Sequence, residues 1–249
     1  MERDELLRRA EDLSARCDRT GKLTHTGFLT PAERYELEGW GRHAAVPPVF
    51  SGGRAGCERT AAFFLPYYMD EESFDPAEYI DAIAFTAHFG APGHRDYMGA
   101  LLAMGIGREW LGDIWVQNDH AYVFCMPSVT EHLLTLDKVG RCGVTAERIA
   151  PADVPDPVRE VKEVSFSVMS LRLDAVAAGM FSMSRTEAAK HIAAGGVSVN
   201  YAECLKPDLA LHEGDMLSMR GVGKGRLTGT GGTSRKGRLF VYAEIFKYQ

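Results

Sequence analysis

Ser184-Arg185-Thr186-Glu187-Ala188-Ala189-Lys190-His191-Ile192-Ala193-Ala194-Gly195-Gly196-Val197-Ser198-Val199-Asn200 is the stretch on which the reading of the C-terminal part turns. A serine followed three positions later by glutamate forms a capping box, in which side chains and backbone at a helix start satisfy one another's hydrogen bonds. The helix it opens turns Ala188 and Ile192 to one side, at the spacing of a buried stripe. Gly195-Gly196 closes that helix. Val197 and Val199 then read as a short strand, and Asn200 begins a turn. Arg185 therefore stands at a helix start, where unpaired N–H groups and the helix dipole favour an anion.

On either side of this stretch, Val161–Val168 reads as extended and Ser170 is a candidate cap for a short helix to Ala178. Gly214-Asp215 turns into a strand at Met216–Arg220. Gly221–Gly237 holds seven glycines among threonines and basic residues and predicts a mobile loop, followed by a closing strand at Leu239–Phe246. Residues 76–155 run β-α-β-β-α-β: a strand at Tyr79–Thr86, a helix at His94–Met104, strands at Ile114–Gln117 and Tyr122–Met126, a helix, and a strand at Val144–Ile149. The second helix is opened by the capping box Ser128-Val129-Thr130-Glu131 and runs to Val139. That order predicts a ferredoxin-like, or RRM-like, split βαβ unit. Residues 1–75 predict a small N-terminal α/β region. It has an amphipathic helix over 2–20, a helix from the capping box at Thr30-Pro31-Ala32-Glu33 to Gly39, and strands at Val49-Phe50 and Thr60–Leu65. Phe74–Pro76 predicts a linker, and Pro151, Pro155 and Pro157 a second break before a C-terminal domain over 165–249. The fold class expected is α+β.

Charge divides the same way. The 249 residues carry a net charge of -6, but the first 164 hold 17 basic and 27 acidic groups, while Ser165 onward holds 11 basic and 7 acidic. A net of -10 against +4 points to a polyanion partner for the C-terminal part, with a solvated basic tail as the alternative. Hydrophobic residues make up 45% and charged residues 25%, which excludes wholesale disorder and fibrous repeats. No apolar run reaches the ~18 residues of a membrane span. The charged start Met1-Glu2-Arg3-Asp4-Glu5 does not read as a leader. Five scattered cysteines without a Cys-x-x-Cys read as free thiols in a reducing cytoplasm. The expectation is a cytoplasmic protein with no membrane insertion.

Two sets of residues resemble known families. Arg172-Leu173-Asp174, Ser184–Ala189, Ile192, Gly195–Asn200 and Leu211–Arg220 resemble the S-four domain, the alpha-L RNA-binding motif, over residues 170–222. His94-Arg95-Asp96-Tyr97-Met98-Gly99, Gly105-Ile106-Gly107-Arg108-Glu109 and Leu111-Gly112-Asp113-Ile114 resemble the signature of the YlmH-type RNA-binding proteins, and Gly27–Pro31 and Glu58-Arg59 fit that family's N-terminal portion. The chain departs from the pattern at Leu227–Ser234, longer than the family's usual loop, and at Ala175, Ala177 and Ala178, where lysine is frequent. The resemblance implies a non-catalytic protein binding structured ribosomal RNA or tRNA, without a cofactor. It also implies association with the large ribosomal subunit carrying stalled peptidyl-tRNA, in ribosome-associated quality control.

On that reading Arg172 and Arg185 start two neighbouring helices, and their planar guanidinium groups suit phosphate oxygens. Ser184, Lys190, Arg220, Lys224 and Arg226 extend the RNA-binding face. Local pairing of Arg172 with Asp174 or Glu187 is the alternative. His94, Arg95, Asp96 and Arg108 form a secondary candidate site. Tyr122 and Phe124, with Phe85, offer an RRM-like stacking face, but Asp119–Phe124 lacks the basic-Gly-aromatic pattern of that module, which favours core packing. No spacing of histidines or cysteines supports a metal; Cys125, His132 and Cys142 read as packing or surface residues. The rival class is an RNA-modifying enzyme using the S-four domain for targeting, such as a pseudouridine synthase or methyltransferase. Arg172-Leu173-Asp174 lacks the neighbours a catalytic aspartate of the first kind has, and no Gly-rich strand-to-helix turn serves the second. A third reading is an interaction protein linked to cell division, contacting partners through its acidic N-terminal portion.

Overall fold

The computed structural model describes residues 3–157, 160–234 and 236–247. Contacts divide the chain into two compact units, 1–158 and 159–249. The class is mixed α+β throughout.

The first unit opens with α1 (Arg3–Thr20), whose buried Leu6, Ala10 and Cys17 form one stripe. β1 (Thr24–His25), α2 (Pro31–Gly41), β2 (Pro48–Ser51) and β3 (Ala61–Phe64) follow, with strand order β1-β3-β2. The capping box forms as the sequence predicts: Thr30 N donates to Glu33 Oε2 (2.8 Å) and Glu33 N to Thr30 Oγ1 (3.3 Å). All of β3 is buried, because the strand serves two cores by alternation. Phe64 packs with Leu6, Ala10 and Leu37, and Phe63 packs on the opposite side.

Next come β4 (Asp81–Ala87), α3 (His94–Ala103), β5 (Leu111–Gln117), β6 (His120–Cys125), α4 (Pro127–Leu133), β7 (Lys138–Val139) and β8 (Cys142–Ile149). Their strands make one antiparallel sheet in the order β5-β6-β4-β8-β7. One face, with Ile83, Phe85 and Val123, packs on Tyr97 and Leu101 of α3 and Leu133 of α4. The other, with Ala82, Trp115 and Phe124, packs on Phe28, Ala61, Phe63 and Phe74. Three expectations change here. Phe74, expected in a linker, is 7% exposed and lies in a core shared by residues on both sides of it. The second helix starts at Pro127 with Met126 as its cap, since proline's fixed φ suits a first helical position, and it ends at Leu133 before a short strand. Phe85 lies on the opposite sheet face from Tyr122 and Phe124, because the register pairs Phe85 with Ala121 and Ala84 with Tyr122.

The second unit contains β9 (Glu160–Val168), α5 (Leu173–Met180), α6 (Arg185–Ala193), β10 (Val197–Val199), β11 (Ala202–Glu203), β12 (Met216–Met219), β13 (Gly223–Thr233) and β14 (Leu239–Lys247). A six-stranded antiparallel sheet runs β11-β10-β12-β13-β14-β9. Val176, Met180, Ala188 and Ile192 of the helices cover one face, against Val197, Leu217, Leu227, Val241 and Ala243. The first helix begins at Leu173, with Arg172 rather than Ser170 at its cap position.

Within the Gly221–Gly237 stretch expected as a mobile loop, residues 223–233 instead form the eleven-residue β13, paired from Lys224↔Phe246 to Thr233↔Leu239 with two irregularities. Its first four residues, 223–226, are held between β12 and β14, and the rest runs along β14. Gly225 is there for space: an added Cβ would stand 2.6 Å from Met180 Sδ and 2.7 Å from Glu244 O. Gly229 faces nothing within 4 Å.

No described helix is long and apolar enough to cross a membrane. None of the five cysteines is disulfide-bonded, and burial pushes the Cys125 thiol up to about 12, which keeps it inert at neutral pH. Gly225→Val should lower stability by about 1–3 kcal/mol through overpacking, while Gly229→Val should stay within about 0.5 kcal/mol. Urea unfolding of the two variants checks this; equal, negligible effects would mean that the stretch is not a packed strand.

Candidate nucleic-acid interface

The helix layer of the second unit brings two arginines to one carboxylate. Arg172, at the cap of α5, is fixed by a bridge to Ala210, while Leu173 N and Asp174 N donate to Leu209 O and Pro207 O. Arg172 Nε donates to Asp174 Oδ1 (3.2 Å), and Arg185 Nη2 donates to Asp174 Oδ2 (2.6 Å). Asp174 is 7% exposed, whereas the side chains of Arg172 and Arg185 remain 44% and 56% exposed. Burial pushes the Asp174 carboxyl up, but the hydrogen bonds and charges of Arg185 and Arg172 outweigh it and hold the group below its ordinary range. The local pair of Arg172 with Asp174 is thus present, and Arg185 shares it. The trio keeps a net charge of +1, and five N–H donors per guanidinium leave several for another acceptor. Ser184 Oγ accepts from Glu187 N (3.1 Å), which caps α6 beside Arg185.

The other expected residues separate from this trio. Lys190 is exposed on α6, five residues past Arg185 and so turned by roughly 140° around the helix. Arg220 lies past the far end of α6, where its N–H donates to Gly196 O (2.8 Å). Lys224 and Arg226 project from the sheet face opposite the helices, since the alternating Gly225 and Leu227 face the core. There Lys224 Nζ sits 5.1 Å over the Tyr201 ring and Arg226 Cζ 5.7 Å over Phe246. Sequence reading missed Asp174 as the shared mount and Tyr201 as the ring beneath Lys224; the first depends on how α5 and α6 pack, the second on how β10, β12 and β13 pair. Arg235 lies outside the described residues.

In the first unit the signature segments converge. Asp113 accepts from Glu58 N (2.7 Å), Arg59 N (2.9 Å) and Trp115 Nε1 (3.3 Å). Arg59 in turn donates to Leu111 O (3.0 Å), Phe28 O (3.1 Å) and Arg108 O (2.9 Å). These bonds make Arg59 and Asp113 struts. Asp96 is likewise engaged, accepting from Gly93 N (2.8 Å) at the start of α3. Arg95 and Arg108 are exposed. Desolvation lowers the His94 pKa, nearby Asp113 opposing and Arg108 adding to it. Phe124 is fully buried under the N-terminal aromatics, so the stacking face read from Tyr122 and Phe124 is closed at that ring. No group of three metal-ligating side chains occurs among the described residues.

A mixed α+β chain carrying these signature segments defines a class, and comparison with known proteins gives its family. The family described as "Putative RNA-binding domain in YlmH" matches residues 72–153. The chain is 32% identical over 224 residues to "Ribosome-associated protein quality control protein P2" of Bacillus subtilis (strain 168), covering 90% of this chain and 87% of that protein. A solved structure, "Cell division protein ylmH from Streptococcus pneumoniae", aligns with a TM-score of 0.55 at 17% identity, over 63% of this chain and 96% of that one. The chain belongs to the YlmH family.

Because Asp174's folded pKa is depressed, its contribution to stability is full above the unfolded value of about 3.9 and is lost as pH falls through the folded one. Arg185→Gln should therefore raise the Asp174 pKa and cost stability at pH 7 more than at low pH. Carboxyl-detected NMR titration with urea unfolding at both pH values checks this; an unchanged Asp174 titration would contradict the shared mount.

Proposed function

We propose that this protein is a non-catalytic RNA-binding protein of the ribosome, gripping structured ribosomal RNA or tRNA through a C-terminal unit of S-four type. The observation that carries the reading is the pair of half-exposed arginines, from two helix starts, mounted on one buried carboxylate. Two planar donor groups held at a fixed separation match neighbouring phosphates, and α6 adds its unpaired N–H groups and dipole. The name of the B. subtilis relative supports a place in ribosome-associated quality control. On this reading the site is the large subunit with its stalled peptidyl-tRNA, and the protein works in the cytoplasm.

The strand order of the middle sheet, β5-β6-β4-β8, supports a ferredoxin-like unit, with helices on one face. The family match at residues 72–153 supports an RNA contact there too. We assign that contact to His94, Arg95 and Arg108 rather than to stacking on the sheet, whose Phe124 is buried. The enzyme reading fares worse on a specific observation. Asp174, the aspartate it would need, is buried and held by two guanidinium groups, which makes it a mount.

Cosedimentation and titration of the full chain with large subunits and a ribosomal RNA hairpin test the proposal. Arg172→Ala and Arg185→Ala should each weaken binding and lower the log–log salt slope by roughly one. Unchanged affinity and slope in both variants would overturn it.

A further inference from the structure

The sheet face turned away from α5 and α6 carries a cavity of about 520 Å³. It opens beside a row that the strand register sets across four strands: Glu203, Ser198, Ser218 and Lys224. Tyr201 and Arg220 line the same cavity, as do the backbones of Gly195-Gly196 and Gly221. Lys224 is 7% exposed and keeps its ammonium 5.1 Å over the Tyr201 ring.

Tyr201 stands in an unfavourable backbone. Asn200 and Tyr201 have φ of 47° and 68°, and they form the two-residue link between Val199 and Ala202 in the β10–β11 hairpin. Such a link favours Asn then Gly, and a bulky side chain in the left-handed region is strained. Asn200 fits and is tied down: its Nδ2 donates to Asp215 Oδ1 (2.8 Å) and its Oδ1 accepts from Met216 N (2.9 Å). Tyr201 occupies the position where glycine would relieve the turn. Strain of this kind, where it borders a cavity, gathers at functional sites.

Resting on the RNA-binding reading above, we propose that this cavity is a subsite for one unpaired nucleotide of RNA. Its base stacks on Tyr201 and its phosphate meets Arg220 and Lys224, with the Ser198 and Ser218 hydroxyls serving the sugar or base edge. Glu203 lines the same cavity and sets one negative charge against the two cations. Ring and cations side by side are the combination that holds single strands without sequence preference. On the same face Arg226 lies beside the Phe246 ring and opposite Glu244, with the exposed Tyr242 beyond. The subsite is thus distinct from the Arg172–Arg185 trio, and the two take different parts of a folded RNA.

The test uses the full chain and two probes, a fluorescent unstructured ten-nucleotide oligouridylate and a ribosomal RNA hairpin. Tyr201→Gly should weaken oligouridylate binding at least fivefold, the low end for one base–aromatic stack. It should leave hairpin binding unchanged and raise the urea midpoint, because the turn is relieved. Tyr201→Phe should retain oligouridylate binding. Full oligouridylate affinity in Tyr201→Gly would overturn the subsite, as would an equal loss on both probes, which would make Tyr201 a support of the domain. A hairpin that fails to bind the unaltered protein, or binds without regard to Arg185, speaks instead against the proposed function.

Discussion

Asp174 is the group on which the helix side of the C-terminal unit depends. It comes from the first turn of α5, is nearly buried, and accepts from Arg172 at both oxygens and from Arg185 at Oδ2. A buried carboxylate is costly unless paired and hydrogen-bonded, and here both demands are met by residues that still reach solvent. Without Asp174, two long cationic side chains at adjacent helix starts would repel one another and lose rotamer freedom on binding. With it, the guanidinium planes are set in advance, so on the proposed function less entropy would be lost when a phosphate docks.

The same economy explains the sheet behind those helices. Its inner face is apolar, with Leu227, Val241 and Ala243 closing on α5 and α6. Its outer face is free to carry Tyr201, Lys224, Arg226 and Tyr242. In the first unit the situation is reversed. There the five-stranded sheet has helices on one face and the N-terminal aromatics on the other, so both faces are covered, while Arg95 on α3 and Arg108 in its turn are exposed.

Local chemistry was legible from the residues. Thr30 with Glu33 and Ser184 with Glu187 span three positions, so those two helix starts show in the chain, whereas Ser128 and Ser170 signal starts that the structure places at Pro127 and Leu173. The β5–β6 hairpin follows from its short Asn118-Asp119 turn, whereas β4 pairs β6 and β8 across the helices between them. What could not be read were facts settled by distant partners. Seven glycines signal mobility until Met180, dozens of residues away, shows why Gly225 must be small. Phe85 and Phe124 look alike in sequence, yet a register of Ala82 against Phe124 sends them to opposite faces. Phe74 beside Pro76 reads as a break until Phe63 and Tyr79 are seen around it. At the candidate site, Arg172 and Arg185 were legible as helix-start cations, but their common anchor needed the fold. Lys224 and Arg226, which look like more of the same basic tract, turn to the other face because strand parity outranks proximity in sequence.

The central claim is that the Arg172–Arg185 trio is the principal RNA contact. Ultraviolet crosslinking of the full chain to its RNA in cells, with mass mapping of the crosslinked peptides, tests it most directly. The account predicts ribosomal or transfer RNA joined chiefly to peptides from Arg172 to Lys190, with fewer adducts near Arg95 and Arg108. Crosslinks confined to residues 72–153, with none in 160–247, would contradict it.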